Sequence, residues 1–248
     1  LALNPKVIEQ AKAKDRQKNT QQHLIFGMPI LLKDNINTQD MPTTAGAAFL
    51  QSHVPDNDAY IVSQLQANGA LILGKVNLSE WAYYFCDGCP LGYSAVGGQT
   101  LNPYGRKVFE SGGSSSGSGV AVAANYAVAA IGSETSGSIL SPSGHNAVVG
   151  CKPTIGLVSR TGIVPISSTL DTAGPMTINV IDNAILLYAM HGTDASDPST
   201  TKAPDQIGDY IVASQNRSIS PYRLGAIKSL AKTDSLYRKA ISTLRSNG

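Results

Sequence analysis

Charge is scarce in this chain. Only 15% of its 248 residues are Asp, Glu, Lys or Arg, against roughly 25% in an average soluble domain. The 19 basic residues nearly cancel the 17 acidic ones, leaving +2, which excludes a polybasic surface for nucleic acid. Cysteine is sparse as well. Cys86, Cys89 and Cys151 are odd in number and too few to staple a secreted domain. Cys86-Asp87-Gly88-Cys89 has C-x-x-C spacing, but no second pair exists and His23, His53, His145 and His191 form no H-x3-5-H element, which speaks against a metal site. A redox pair is the rival, and two ordinary loop cysteines are the plain reading. Long apolar runs are missing too: the longest, Val120 to Ile131, is interrupted by Asn125 and falls short of the ~18 residues of a membrane span. No basic-then-apolar leader opens the chain. These absences lead us to expect a soluble, cytoplasmic protein, and a start at Leu1-Ala2-Leu3 in place of Met suggests a lost N-terminus.

What is present supports a core. Hydrophobic residues make up 42% of the chain, enough for one large domain or two modest ones. Asn4-Pro5 followed by Val7, Ile8, Ala11 and Ala13 predicts a helix capped by Asn4. Leu24 to Leu32 reads as an irregular buried strand approaching Lys33, Ala59 to Ala70 as a helix, and Leu71 to Leu73 as the next strand. Ser116 to Val128 is a small-residue helix, Ala129 to Ser133 a strand, and Glu134 to Ser143 a Gly/Ser loop. Val148 to Lys152 follows as a strand, Val180 to His191 as a helix stopped by Gly192, and Arg223 to Lys228 then Ser235 to Arg245 as strand and helix. Short buried strands alternating with helices predict an α/β fold, a mixed β-sheet core covered by helices.

The 24 glycines gather beside Ser and Thr, as where backbone must approach a ligand closely. Two loops stand out, Ser111 to Gly119 and Gly132 to Ile139. Backbone N–H groups in such loops suit an anion or an oxyanion. A phosphate-binding loop would need lysine after Gly117, where Ser118 stands. A nucleophile elbow G-x-S-x-G matches Gly113 to Gly117, with Ser115 as nucleophile and Asp171 or Asp182 and then His191 as partners, a pattern that is common by chance in Gly/Ser-rich stretches. Plain flexible linkers would leave the tight apolar flanks unexplained.

A third reading rests on several motifs in order. Gly27-Met28-Pro29-Ile30-Leu31-Leu32-Lys33-Asp34-Asn35, Gly74-Lys75-Val76-Asn77-Leu78-Ser79-Glu80, the Ser111 to Gly119 loop, Gly137-Ser138-Ile139, Val148 to Thr154 and Leu170 to Met176 together resemble the amidase signature family. The resemblance implies the amidase signature fold, incomplete at both ends and about half a full-length member, with the core at 1–192 and a polar loop plus the start of the C-terminal part at 193–248. It also implies a Ser–cis-Ser–Lys triad in which Ser138 is the nucleophile, Ser114 the bridging cis-serine and Lys33 the base. Lysine can act so only when desolvation holds it neutral, and the apolar run before Lys33 meets that demand. The oxyanion would be held by backbone N–H groups of Thr135, Ser136, Gly137 and Ser138. No cofactor is implied. Lys75 is the rival lysine, expected to be solvated or supporting, while His145 is expected to cap a loop or helix and His191 to face a helix dipole.

The implied reaction is hydrolysis of a linear carboxamide, in a small molecule or a peptide, to a carboxylate and ammonia through an acyl-enzyme. The alternative is the glutamine-hydrolysing subunit of a glutamyl-tRNA(Gln) amidotransferase, the one case in which nucleic-acid contact would be expected. That branch usually carries Asp-Thr-Gly-Gly-Ser-Ile-Arg, whereas this chain has Glu134-Thr135-Ser136-Gly137-Ser138-Ile139-Leu140. The segment with Gly156 to Ser167 looks closer to the peptide-amidase-like branch. A Ser-His-Asp hydrolase or a non-catalytic fragment is the third possibility.

Overall fold

The computed structural model describes residues 1–17, 23–202, 209–215 and 223–247. Its strands are β1 (Ala2–Leu3), β2 (Pro29–Lys33), β3 (Leu71–Val76), β4 (Tyr93–Ser94), β5 (Gly98–Gln99), β6 (Ala129–Glu134), β7 (Val149–Gly150) and β8 (Thr172–Thr177). The helices are α1 (Val7–Asp15), α2 (Tyr60–Ala67), α3 (Ser116–Ala123), α4 (Leu140–His145), α5 (Val180–Met190), α6 (Asp209–Gln215), α7 (Lys228–Thr233) and α8 (Ser235–Ser246). Six strands form one sheet in the order β1-β3-β2-β6-β8-β7, and β4 pairs with β5 separately. β3, β2 and β6 run parallel, while β1, β8 and β7 join antiparallel. The sheet is mixed, as the alternation of short strands and helices predicts.

Strand period explains the layers. Successive side chains point to opposite faces, so Ile30 and Leu32 of β2 join Ile72 and Ile131 beneath α2 and α5. Leu31 and Ala130 point the other way, against Ala121 and Val122 of α3. Full burial of each such Ile or Leu is worth roughly 1.5–3 kcal/mol. Lys33, two residues after Leu31, shares the α3 face. The same period that builds the core therefore carries a lysine into it.

Several boundaries differ from the sequence reading. β2 begins only at Pro29, after a turn at residues 24–27, and ends on Lys33 itself. α1 starts at Val7 because the Asn4 side chain, besides accepting the Lys6 N–H at 2.9 Å, donates to Ile72 O at 2.8 Å and so ties the chain to β3. α3 stops at Ala123, before the left-handed Asn125, and α5 is capped by His191, one residue earlier than Gly192. The expected Gly/Ser loop ends earlier, at Ile139, where α4 takes over and runs on to His145. No strand forms at 223–228, where α7 begins instead. β8 is a strand that the sequence pattern does not announce, although all six of its residues are buried.

The chain divides into two compact units, Leu1–Ile211 and Val212–Gly248. The polar segment after 192 is fastened within the first: Ser159 Oγ donates to Asp194 at 2.6 Å, and Arg160 pairs with Asp197 at 2.6 Å. Within the second, α8 is capped by Asp234, whose carboxylate accepts the Leu236 and Tyr237 N–H groups. Cys86 and Cys89 form a disulfide, which corrects the reading of two ordinary loop cysteines. Among the described residues no helix is long and apolar enough to cross a membrane, and no His/Cys/Asp/Glu group is suited to a metal ion.

Candidate active site

The ends of two parallel strands and the start of one helix converge on the α3 side of the sheet. Lys33 closes β2 and is fully buried. Its Nζ donates to Ser114 Oγ at 2.7 Å and to Ser133 O at 3.1 Å. Burial, the dominant effect, holds this amine down at about 7 from its usual 10.5, against the opposing pull of the Glu134 and then the Asp171 carboxylates. A base that titrates near neutrality inside a sheet is rare for lysine. Ser114 lies two residues before α3, and the Gly113–Ser114 peptide bond is cis.

Ser138 sits in the loop between β6 and α4. With Gly113, Ser114, Thr135, Ser136 and Gly137 it lines a cavity of about 380 Å³. A second cavity of about 270 Å³ also reaches Ser138 and is walled by Asn35, Thr135, Arg160, Ile166 and Asp171. Ser138 thus stands at the junction of two spaces. Its carbonyl accepts the Ser115 N–H at 3.0 Å, which locks the two Gly/Ser loops together. The Thr135 hydroxyl donates to Asp171 at 2.5 Å, and the other oxygen of that carboxylate accepts the Ile166 and Ser167 N–H groups at 2.7 and 2.8 Å.

Of the four N–H groups expected at an oxyanion, one is already engaged. Gly137 N–H donates to Glu134 at 2.6 Å, whereas among the described residues no protein acceptor engages those of Thr135, Ser136 and Ser138. Glu134 is a site residue that the sequence reading misses. It is buried, and its second oxygen accepts Ile139 and Leu140 N–H at 2.7 and 3.0 Å, the position where an anion suits a helix start. A carboxylate shortly before a helix was the available signal.

Lys75 is not solvated. It is buried and paired with Asp34 at 3.4 Å, donates to Thr43 Oγ1 at 2.8 Å and Pro42 O at 3.2 Å, and is held by burial at about 8 despite that partner. Asp34 in turn accepts the Thr44 N–H at 3.1 Å and the Thr44 hydroxyl. Lys75 therefore supports the turn after Lys33. Ser115 does not stand at an exposed elbow: it is fully buried, donates to Ser133 O at 3.0 Å and accepts Ser133 N–H at 3.2 Å. Asp182 is spent on the cap of α5 with Asn179. His145 ends α4 with Nδ1 2.8 Å from Ser141 O, and His191 caps α5. Trp81, Ala82 and Tyr83 have φ values of 50, 53 and 72°, a left-handed run costly for residues with a Cβ. It turns Ala82, Tyr83 and Tyr84 onto the cavity walls.

The model of the amidase family, described simply as Amidase, matches residues 1–248. The chain belongs to the amidase family. This amidase-family chain is 42% identical over 255 residues to a probable amidase of Arabidopsis thaliana, covering 100% of itself and 49% of that relative. The native peptide amidase structure from Stenotrophomonas maltophilia superposes with a TM-score of 0.81 at 50% identity, covering 85% of this chain and 44% of that one. A glutamyl-tRNA(Gln) amidotransferase subunit from Thermotoga maritima gives 0.67 at 36% identity, covering 80% and 45%. The higher likeness to the former puts this chain on the peptide-amidase-like branch. The chain spans about half the length of the curated relatives it matches.

Proposed function

We propose that this amidase-family chain carries the catalytic centre of an enzyme that hydrolyses a linear carboxamide, in a small molecule or a peptide, to a carboxylate and ammonia. The observation that carries the reading is the 2.7 Å contact to Ser114 from a buried Lys33 whose amine is held down at about 7. Neutral Lys33 takes the Ser114 proton as Ser114 takes that of Ser138. Ser138 Oγ then attacks the amide carbon, and the oxyanion is met by N–H groups of Thr135, Ser136 and Ser138. The relay returns a proton to the departing nitrogen, which leaves as ammonia. Water, deprotonated through the same relay, hydrolyses the acyl-Ser138 ester. Gly137 serves by shaping the loop, its N–H being held by Glu134.

The likeness to the glutamyl-tRNA(Gln) amidotransferase chain favours a second reading, glutamine hydrolysis within such an assembly. Leu140, where that branch carries arginine, favours the free amidase. The disulfide counts against a cytoplasmic setting, since such bonds persist mainly in oxidising compartments. The test is ammonia release from a neutral peptide carboxamide and from glutamine, together with labelling by a fluorophosphonate mapped by peptide mass spectrometry. We expect label on Ser138 and faster release from the peptide amide. Label on Ser115, or none, overturns the mechanism, and release from glutamine alone overturns the substrate class.

A further inference from the structure

Glu134 takes no part in the proton relay, yet its carboxylate is closely held by its surroundings. It ends β6, directly after Ser133, whose carbonyl receives Lys33 Nζ at 3.1 Å. The residue is 4% exposed, and its carboxylate accepts three backbone N–H groups, from Gly137, Ile139 and Leu140, at 2.6, 2.7 and 3.0 Å. These bonds close a loop around Ser138, and among the described residues the carboxylate has no ion-pair partner. The α4 segment Leu-Ser-Pro-Ser-Gly-His contains proline and glycine and has little helix propensity. Its first turn therefore depends on the cap.

We infer that Glu134 is a positioning residue with two duties: its oxygens fix the loop that presents Ser138, and its charge sets the field in which Lys33 works. This rests on the reading of Lys33 as the base. Other charged groups around Lys33 are Asp171, just before β8, and, on the β3 side, Lys75 with its partner Asp34. Lys75 and Asp34 offset each other, and Asp171 is spread over three hydrogen bonds of its own. Glu134 is the largest charged influence on Lys33 and favours its ammonium form. The clamp therefore carries a cost in reactivity. It orders the nucleophile loop while making the base slightly harder to deprotonate.

The two duties separate in two variants of the full chain. The readout is the rate of Ser138 labelling by a fluorophosphonate between pH 5 and 10, with circular dichroism as the check on folding. Glu134→Gln keeps the size and one acceptor but loses the charge. Its rising limb should move to lower pH by on the order of one unit, while the plateau rate falls by on the order of ten- to a hundredfold as the loop loosens. Glu134→Asp keeps the charge but shortens the reach, so its plateau should fall with the limb close to wild type. A merely structural residue would lower the plateau in both and move neither limb. An unmoved or raised limb in Glu134→Gln overturns the electrostatic duty, and a wild-type plateau in Glu134→Asp overturns the clamp. If Glu134→Gln does not reach the native spectrum, Glu134→Asp and Glu134→Asn, equal in reach and different in charge, decide: a limb at lower pH in the Asn variant than in the Asp variant is the expected result, and equal limbs overturn the inference. Wild-type chain that takes no label at Ser138 overturns the underlying mechanism instead, so the two failures are distinct.

Discussion

Replacing Lys33 by Met separates what the lysine does for chemistry from what it costs the fold. The buried amine titrates at about 7 in the native chain instead of 10.5, so between those values the unfolded chain holds a proton that the native chain has released. Stability must then rise with pH across that window. At about 1.4 kcal/mol per tenfold change in proton affinity, Lys33 destabilises the native state by about 5 kcal/mol below pH 7. The burden fades to about 1 kcal/mol at pH 10. Met of similar length removes this burden but strands Ser114 Oγ and Ser133 O, the two acceptors of the lysine, at about 2–4 kcal/mol in total. Lys33→Met should therefore be more stable than wild type by about 1–3 kcal/mol at pH 6 and less stable by a similar amount at pH 10. Urea unfolding at both pH values, followed by the fluorescence of Trp81, the one tryptophan, measures the difference. A variant destabilised equally at both would show that the lysine is not held neutral by burial, and the proposed base would lose its physical support.

Ser138→Ala should abolish amide hydrolysis and leave the circular dichroism spectrum unchanged, because the hydroxyl makes no hydrogen bond to the described residues; substantial residual turnover would exclude Ser138 as nucleophile. Ser115→Ala should cost about 1–3 kcal/mol in urea unfolding, since Ser133 loses the acceptor for its N–H and one of the two donors to its carbonyl, yet leave fluorophosphonate labelling in place. Lys75→Met should destabilise by about 3–5 kcal/mol by leaving Asp34 buried and unpaired. The double variant with Asp34→Asn should recover part of that loss, whereas no recovery would mean the pair is not coupled. In kcat/KM terms, Lys75→Met should cost less than Lys33→Met, and the reverse order would mean that the wrong lysine has been assigned.

Legibility in the sequence followed the strength of local signals. β2 and Lys33 were readable because a continuous apolar run with one charged residue at its end has few folded solutions. β3 and β6 were readable as short runs of apolar and small residues, and α2 from its helical apolar spacing, with Gly69 marking the stop after it. β8 was not. Thr172-Ala173-Gly174-Pro175-Met176-Thr177 has no alternation and contains two residues disfavoured in strands. It is held by its neighbours: it pairs with β6 along its whole length, and Pro175, which has no N–H to offer, uses its carbonyl to receive Cys151 N–H at 3.1 Å and the Asn183 amide at 3.0 Å. α4 was invisible on similar grounds, being specified by the Glu134 cap. Candidate site residues came from motif resemblance, whereas the Glu134 cap, the Asp171 anchor of Thr135 and the pairing of Lys75 with Asp34 became apparent only through the contacts of the folded chain.

The direction of β8 explains why those contacts gather at one place. Ligand sites in open α/β sheets lie beyond the carboxyl ends of the strands, and Lys33 and Glu134 occupy those ends of the parallel β2 and β6. An antiparallel neighbour brings its beginning to the same edge. In β8 that beginning is Thr172, paired with Glu134, and the preceding Asp171 thereby reaches Thr135 and the 166–167 backbone. A parallel β8 would have delivered Thr177 to that edge and left the Thr135 side of the nucleophile loop without its anchor. The same reversal adds Asp171 to Glu134 as a second carboxylate acting on Lys33, so the base can lose its proton only because the desolvation of the sheet interior outweighs both. Admitting water to that edge weakens the desolvation and leaves the carboxylates in place, which moves the amine back towards its ordinary value and turns the base off at neutral pH.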